Sequence, residues 1–415
     1  GITMKSLFKL STLAVSVFAA SQVSAIELYN NEGTELTMYG AIAAQVSKYN
    51  YDESTPMGSD LAYGLNNDST FIEDPGSYVG FDISHTQGKF KGVAKIAFDV
   101  NFGTQTDVNG YGDSLEALTA RQIYAGFGHE DFGTVTIGRQ ESPYMKTDKG
   151  YYSYWAGGLN MMQSDELGSR RAPNTVVWQN EFDNLYLGLQ YQARRDVEQI
   201  AFGNGLNFGS FIVGGTLDSN LDLESRSKIT IKDGFGGAIA YTFDFGTYVS
   251  AAYNQANDIS GNFIDILGSA TGTADNAEVK QYALAAEHHF LDGAISVSGR
   301  YEHFEAKDGS SSPIFDSKTD NFGLGANFYF TESMRIYGSY EYAKENNNLT
   351  GKTQSEANIY NIGFGWAPVA WGEVYLESYY DDVQLNDSIN YETGAAPADT
   401  ESKGAHFFLG AAVFF

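Results

Sequence analysis

Six histidines and no cysteine are all that this 415-residue chain offers for metal ligation or thiol chemistry. They are His85, His129, His288, His289, His303 and His406. A metal centre needs several ligands at about 2 Å from one ion, so it needs clustering. His288 and His289 are adjacent, but they fall in a stretch that reads as an exposed turn, with a metal pair as the alternative. No nucleophile elbow (G-x-S-x-G) and no H-E-x-x-H pattern occurs. Gly234 to Gly237 (GFGG) is followed by neither Lys-Ser/Thr nor a helical pattern, so it is not a phosphate loop. A Ser-His-acid set scattered along the chain stays open at this level. The expectation is no catalysis, no metal and no cofactor.

Charge narrows the partners. Asp and Glu number 52 against 25 Lys and Arg, a net charge of −27. Phosphate binding needs an excess of Lys and Arg, so the balance argues against nucleic acid. The same acidity would serve solubility alone equally well. A chain of this length without cysteine suits an exported protein that folds without disulfides. Met4 to Ala25 has a basic start at Lys5 and Lys9, an apolar stretch from Leu10 to Ala20, and a small-residue site at Val23-Ser24-Ala25. That is the layout of a secretory signal peptide. The apolar run is too short to span about 30 Å of bilayer. Residues 1–3 read as a cloning remnant, 4–25 as the signal peptide, and 26–415 as one mature domain starting at Ile26.

The elements that must position any functional side chain are strands. In NFGLGANFYF, Phe322, Leu324, Ala326, Phe328 and Phe330 share one face, with Gly323, Gly325, Asn327 and Tyr329 on the other. Phe90, Ala94, Ile96, Phe98 and Val100 likewise oppose Lys91, Lys95 and Asp99. Ile336, Tyr340 and Tyr342 oppose Arg335, Tyr337 and Glu341, and Ile295, Val297 and Tyr301 oppose Ser296, Ser298, Arg300 and Glu302. Such alternation means strands with one apolar and one polar face. Tight turns at 85–89, 128–131, 182–184, 244–246, 291–293, 331–333 and 368–371 alternate with long polar stretches. Those run near 50–76, 103–117, 141–170, 194–227, 257–277, 306–319, 346–356 and 384–403. Short turns at one end and long loops at the other, with sixteen strands between, are the pattern of an outer-membrane barrel. In lipid every backbone polar group needs an internal partner, so the sheet must close. The expected fold is all-β: a sixteen-stranded antiparallel transmembrane β-barrel, apolar outside and polar inside, around an aqueous lumen. Tyr379-Tyr380, Trp366 and Trp371 are placed for the interfacial belts.

Three stretches resemble the general diffusion porins of Gram-negative outer membranes, a sixteen-stranded trimeric family. IELYNNEGTELTMYG (Ile26 to Gly40) resembles the opening strand, and TARQIYAGFGHEDFGTVTIGRQ (Thr119 to Gln140) the hairpin of the fourth and fifth strands. RAPNTVVW (Arg171 to Trp178) resembles the strand entered after the third loop, and the terminal Phe415 completes the set. The resemblance covers essentially all of 26–415. It implies passive diffusion of ions and small hydrophilic solutes through a homotrimer set in outer-membrane lipid and lipopolysaccharide. It also implies a third loop, Glu141 to Arg170, folded inward to form the eyelet. Asp148, Asp165 and Glu166 are then the candidate eyelet acids, with solvated loop charge as the alternative. Arg121 and Arg171 match the basic wall, and Arg170 is a neighbour that could substitute.

Arg139 shares strand parity with Val135 and Ile137. It reads as a trimer contact to Glu116 or Asp113 of the next subunit, or equally as an intrachain ion pair. Ala41 and Tyr78 stand where the family often carries Lys and Arg, which thins the basic wall and, with the acidic balance, predicts cation preference. The loop tip, YYSYWAGGLNMM (Tyr151 to Met162), is aromatic. Its Tyr154 and Trp155 either anchor the loop to the wall or stack on sugars, as in oligosaccharide-selective porins. The last strand, GAHFFLGAAVFF, is expected to pair with the first, with Phe415 near Ile26 closing the ring and marking the chain for assembly.

Overall fold

The computed structural model describes residues 25–50, 70–100, 118–154, 162–197, 200, 213–214, 229–264, 271–390 and 395–415. Residues 1–24, expected to hold a cloning remnant and all but the last residue of a signal peptide, lie outside these, as do Asp113, Glu116 and Trp155. The strands are β1 (Ile26–Asn31), β2 (Thr34–Lys48), β3 (Thr70–Glu73), β4 (Tyr78–Gln87), β5 (Phe90–Val100), β6 (Leu118–His129), β7 (Gly133–Glu141), β8 (Arg171–Phe182), β9 (Leu185–Gln192) and β10 (Arg195–Val197). They continue with β11 (Val213–Gly214), β12 (Ile229–Thr242), β13 (Thr247–Ile264), β14 (Thr271–Phe290), β15 (Ile295–Lys307), β16 (Asp316–Tyr329), β17 (Met334–Asn347), β18 (Lys352–Val369), β19 (Gly372–Asn390) and β20 (Ala395–Phe414).

The pairings are antiparallel, and β2 meets β20 with Ala41 opposite Phe414 and Lys48 opposite Phe407. That contact removes the sheet edges. β3 and β4 share one edge of β2, and β9 and β10 share one edge of β12. The wall is therefore a closed antiparallel barrel of sixteen strands. Its outer face is apolar: Leu324, Ile362 and Leu376 are all exposed, while their neighbours Asn321, Asn361 and Glu377 are buried. The polar face is thus the inner one, as the alternation predicts.

Three sequence expectations are corrected here. The opening strand is two strands, because Glu32 (φ 50°) and Gly33 (φ 80°) make a tight turn between β1 and β2. Left-handed backbone at both central residues is the hairpin turn that suits strand twist. The stretches 257–277, 346–356 and 384–403 are largely strand: β13 pairs with β14 as far as Ile264 opposite Thr271, and β17 leaves only 348–351 before β18. Beyond the lipid no apolar face is required, so alternation fades while the backbone ladder continues. Finally, Tyr379 is buried on the inner face, stacked on Phe408 at 5.6 Å, whereas Tyr380, Trp366 and Trp371 are exposed on the outside.

Candidate functional site: the lumen and its third loop

The segment joining β7 to β8 opens with a 3-10 turn, Pro143–Thr147, in which the Ser142 hydroxyl accepts the Tyr144 N–H at 3.2 Å. Its backbone then follows the polar face of the far wall. The Tyr248 hydroxyl and Ser250 Oγ on β13 donate to the Lys146 carbonyl at 2.7 and 2.9 Å. Ser298 Oγ on β15 accepts the Gly150 N–H at 3.1 Å. Asn361 Nδ2 on β18 donates to the Tyr152 carbonyl at 3.2 Å. On the way back, Asn254 Nδ2 holds the Leu167 carbonyl at 3.0 Å and Gln190 Nε2 the Gly168 carbonyl at 2.8 Å. The approach is close because the wall has glycines beneath it. A methyl at Gly325 would lie 2.8 Å from Tyr151 Cα.

Wall glutamates hold the loop's tyrosines. The Tyr144 hydroxyl donates to Glu302 Oε1 at 2.8 Å, Tyr152 to Glu287 Oε2 at 2.7 Å, and Tyr154 to Glu373 Oε2 at 2.6 Å. The Tyr154 N–H reaches Glu377 Oε2 at 2.7 Å, and the Met162 N–H reaches Glu302 Oε2 at 3.0 Å. The Tyr154 ring stacks on Tyr375 with centroids 3.8 Å apart and planes 2° from parallel. Hydrogen bonds to ionised acceptors are the stronger class, and burial strengthens them further. Tyr154 is thus a wall anchor.

The three acids expected at the eyelet are each hydrogen-bonded within the chain. Asp148 accepts the Tyr151 hydroxyl at 2.8 Å, and burial raises its carboxyl above the usual range, against the pull of that hydroxyl and Arg300. Asp165 sits at the loop's root, where Oδ2 takes Arg139 Nη2 at 2.7 Å and Oδ1 takes the Arg171 N–H at 2.9 Å. Arg170 Nε stands 4.0 Å from the same carboxylate. Glu166 accepts Ser164 Oγ at 2.9 Å, and its carbonyl accepts from Arg195 Nε at 2.5 Å. Asp165 and Glu166 therefore tie the returning loop to the barrel. Arg139 pairs within its own chain, beside a bulge that sets Pro173 and Asn174 (φ 55°) against it.

On the near wall, Arg121 Nη1 lies 2.5 Å from Asp99 Oδ1 and Lys95 Nζ lies 3.1 Å from Asp82 Oδ1. Arg171 makes no ion pair among the described residues, and its Nε is buried without a hydrogen-bond partner. Ile26 faces Met38 on β2, two positions along from Gly40, which exchanges backbone hydrogen bonds with Phe415 at 2.6 and 3.0 Å. Residue-by-residue reading missed Glu287, Glu302, Glu373 and Glu377. Strand parity could have found them: on β19, Glu373, Tyr375, Glu377, Tyr379 and Asp381 alternate with outward Val374, Leu376 and Tyr380.

A closed barrel with an apolar exterior, a polar interior and a connecting segment laid against its inner wall defines an outer-membrane channel. The model of the Gram-negative porin family matches residues 10–368, and the chain belongs to that family, whose place is the outer membrane. It is 24% identical over 372 residues to the major outer membrane protein of Pasteurella multocida, covering 88% of this chain and 90% of that one. It is likewise 24% identical over 366 residues to the outer membrane porin PhoE of Escherichia coli, covering 80% and 92%. Among solved structures, the trimer form of OmpT, an outer membrane protein of Vibrio cholerae, superposes with a TM-score of 0.61 at 16% identity, covering 92% and 100%.

Proposed function

We propose that the chain, freed of residues 4–25, forms a homotrimer of water-filled pores through which ions and small hydrophilic solutes diffuse passively, with cations preferred. The observation that carries the preference is the fixed charge on the inner face of β14 to β19. Glu287, Glu302, Glu341, Glu345, Glu373, Glu377 and Asp381 lie there against Arg300, Arg335 and, from the loop, Lys149. A net excess of fixed negative charge beside an aqueous passage enriches cations. Similarity to porins and to a protein solved in a trimer form supports the assembly. Single-channel recording in a planar bilayer under a salt gradient tests the reading. A reversal potential of cation-selective sign is expected; the opposite sign overturns the preference, and a silent membrane overturns the pore. Unheated gel mobility tests the trimer. Selection of oligosaccharides on the loop's aromatics gains no support from Tyr151, Tyr152 or Tyr154, whose hydroxyls are committed to Asp148, Glu287 and Glu373.

A further inference from the structure

Each of two cations on the near wall is held between a carboxylate and an aromatic face. Lys95 Nζ, beside Asp82, lies 4.8 Å from the centre of the Tyr39 ring. The Arg121 guanidinium, bonded to Asp99, lies 4.6 Å from the centre of the Tyr78 ring. The fold builds both arrangements. Asp82 stands directly opposite Lys95, and Tyr78 opposite Asp99, across β4 and β5. A bulge in β6 leaves Arg121 as the extra residue between the Ala97–Gln122 and Phe98–Ala120 pairs, which turns it toward Asp99. Gly80 leaves space for the Tyr39 ring, where a methyl would lie 2.4 Å from it.

The two ends of each pair differ in exposure. Lys95 and Arg121 are 19% and 13% exposed, while Asp82 and Asp99 are 38% and 30% exposed. Water in the lumen therefore meets the acid end of each pair, with the cation tucked beneath an aromatic ring. We propose that Asp82 and Asp99 determine ion selectivity: they mask Lys95 and Arg121 and convert two anion-attracting cations into neutral pairs that are negative at their wet ends. This rests on the cation-preferring reading above and assigns part of the preference to named residues.

The test is the reversal potential, in a bilayer under a potassium chloride gradient, of Asp82→Asn and Asp99→Asn trimers of unchanged heat stability. Each substitution should lower the cation-to-anion permeability ratio by about fourfold, the Coulomb effect of one charge about 10 Å from the ion's path in water. Combining Asp82→Asn with Lys95→Gln should bring the ratio back to the wild-type value, because masking makes the two effects cancel. Where the Asn variants fail to assemble, Lys95→Gln and Arg121→Gln should each raise the ratio. Unchanged potentials in all of these, or a double variant that stays as shifted as Asp82→Asn, overturns the proposal. Anion preference in the wild type would overturn the functional reading instead, and a further anionic shift in Asp82→Asn would still uphold the masking.

Discussion

Glu377 is the point at which removing one side chain should lift the tip of the third loop. Its Oε2 accepts both the Tyr154 N–H at 2.7 Å and the Tyr337 hydroxyl at 2.8 Å, and the residue is 1% exposed. A hydrogen bond to a charged group contributes about 1.5–3 kcal/mol. Glu377→Ala deletes the bond to Tyr154, so docking of the tip should weaken by about 2 kcal/mol, a factor of about 30 between docked and lifted states. The Tyr154 hydroxyl on Glu373 and the ring on Tyr375 remain, so the loop as a whole should stay in place. Hydrogen exchange on the intact trimer reads this directly: the Tyr154 amide should exchange about 30-fold faster in Glu377→Ala. Glu377→Gln keeps a neutral acceptor and should cost about 1 kcal/mol, a smaller acceleration. An unchanged Tyr154 exchange rate in a Glu377→Ala trimer would refute the clamp.

Deleting Phe415 removes the two backbone hydrogen bonds to Gly40, about 2 kcal/mol at the closing seam, so the yield of assembled trimer should fall while conductance per assembled pore stays the same. Arg139→Ala breaks a partly exposed intrachain pair with Asp165, 29% and 19% exposed, worth about 1 kcal/mol. The trimer's dissociation temperature should hold, and a large drop would restore the intersubunit contact. Asp308 follows β15. Burial pushes its carboxyl up, but the N–H groups of Ser310, Ile314 and Asp275, at 3.0, 2.9 and 3.2 Å, outweigh burial and hold it below the usual value. A lowered carboxyl stabilises fully above the unfolded value and loses that contribution as pH falls through the lowered one. Protease resistance of the β15–β16 connection should therefore be flat above the ordinary aspartate range and decline below it, and Asp308→Ala should abolish that decline.

Strand number and facing were legible because lipid demands an apolar outer face, which writes itself as alternation at Phe322, Leu324 and Ala326 or at Ile96 and Phe98. The demand stops where the wall leaves the membrane, so the upper halves of β13, β14, β19 and β20 read as loops. The Glu32-Gly33 turn was present as a dipeptide, but taking Ile26 to Gly40 as one opening strand passed over it. The partners of the loop's charges were hidden for a different reason. Spacing along Asp148, Asp165 and Glu166 says nothing of which wall groups will meet them, and that is fixed by partners far away in sequence, such as Arg139 for Asp165. Parity held the better clue: an inward Glu on a strand must find a donor, and a loop rich in tyrosine supplies donors.

What those donors are decides how a glutamate acts in the lumen. Glu373 faces Arg335 Nε at 2.9 Å, so its charge is largely cancelled where it stands. Glu302 instead takes the Tyr144 hydroxyl, the Met162 N–H and Asn321 Nδ2, all of them neutral. Neutral donors solvate a carboxylate without cancelling it, so its field still reaches the water beside the loop. The loop therefore docks on the wall through the same neutral donors that surround the buried Glu302 carboxyl. On the proposed cation preference, that arrangement couples loop docking to selectivity. A substitution that removes the Tyr144 hydroxyl at Glu302 should disturb both together, whereas neutralising Asp82 or Asp99 on the opposite wall should shift selectivity with the loop still docked.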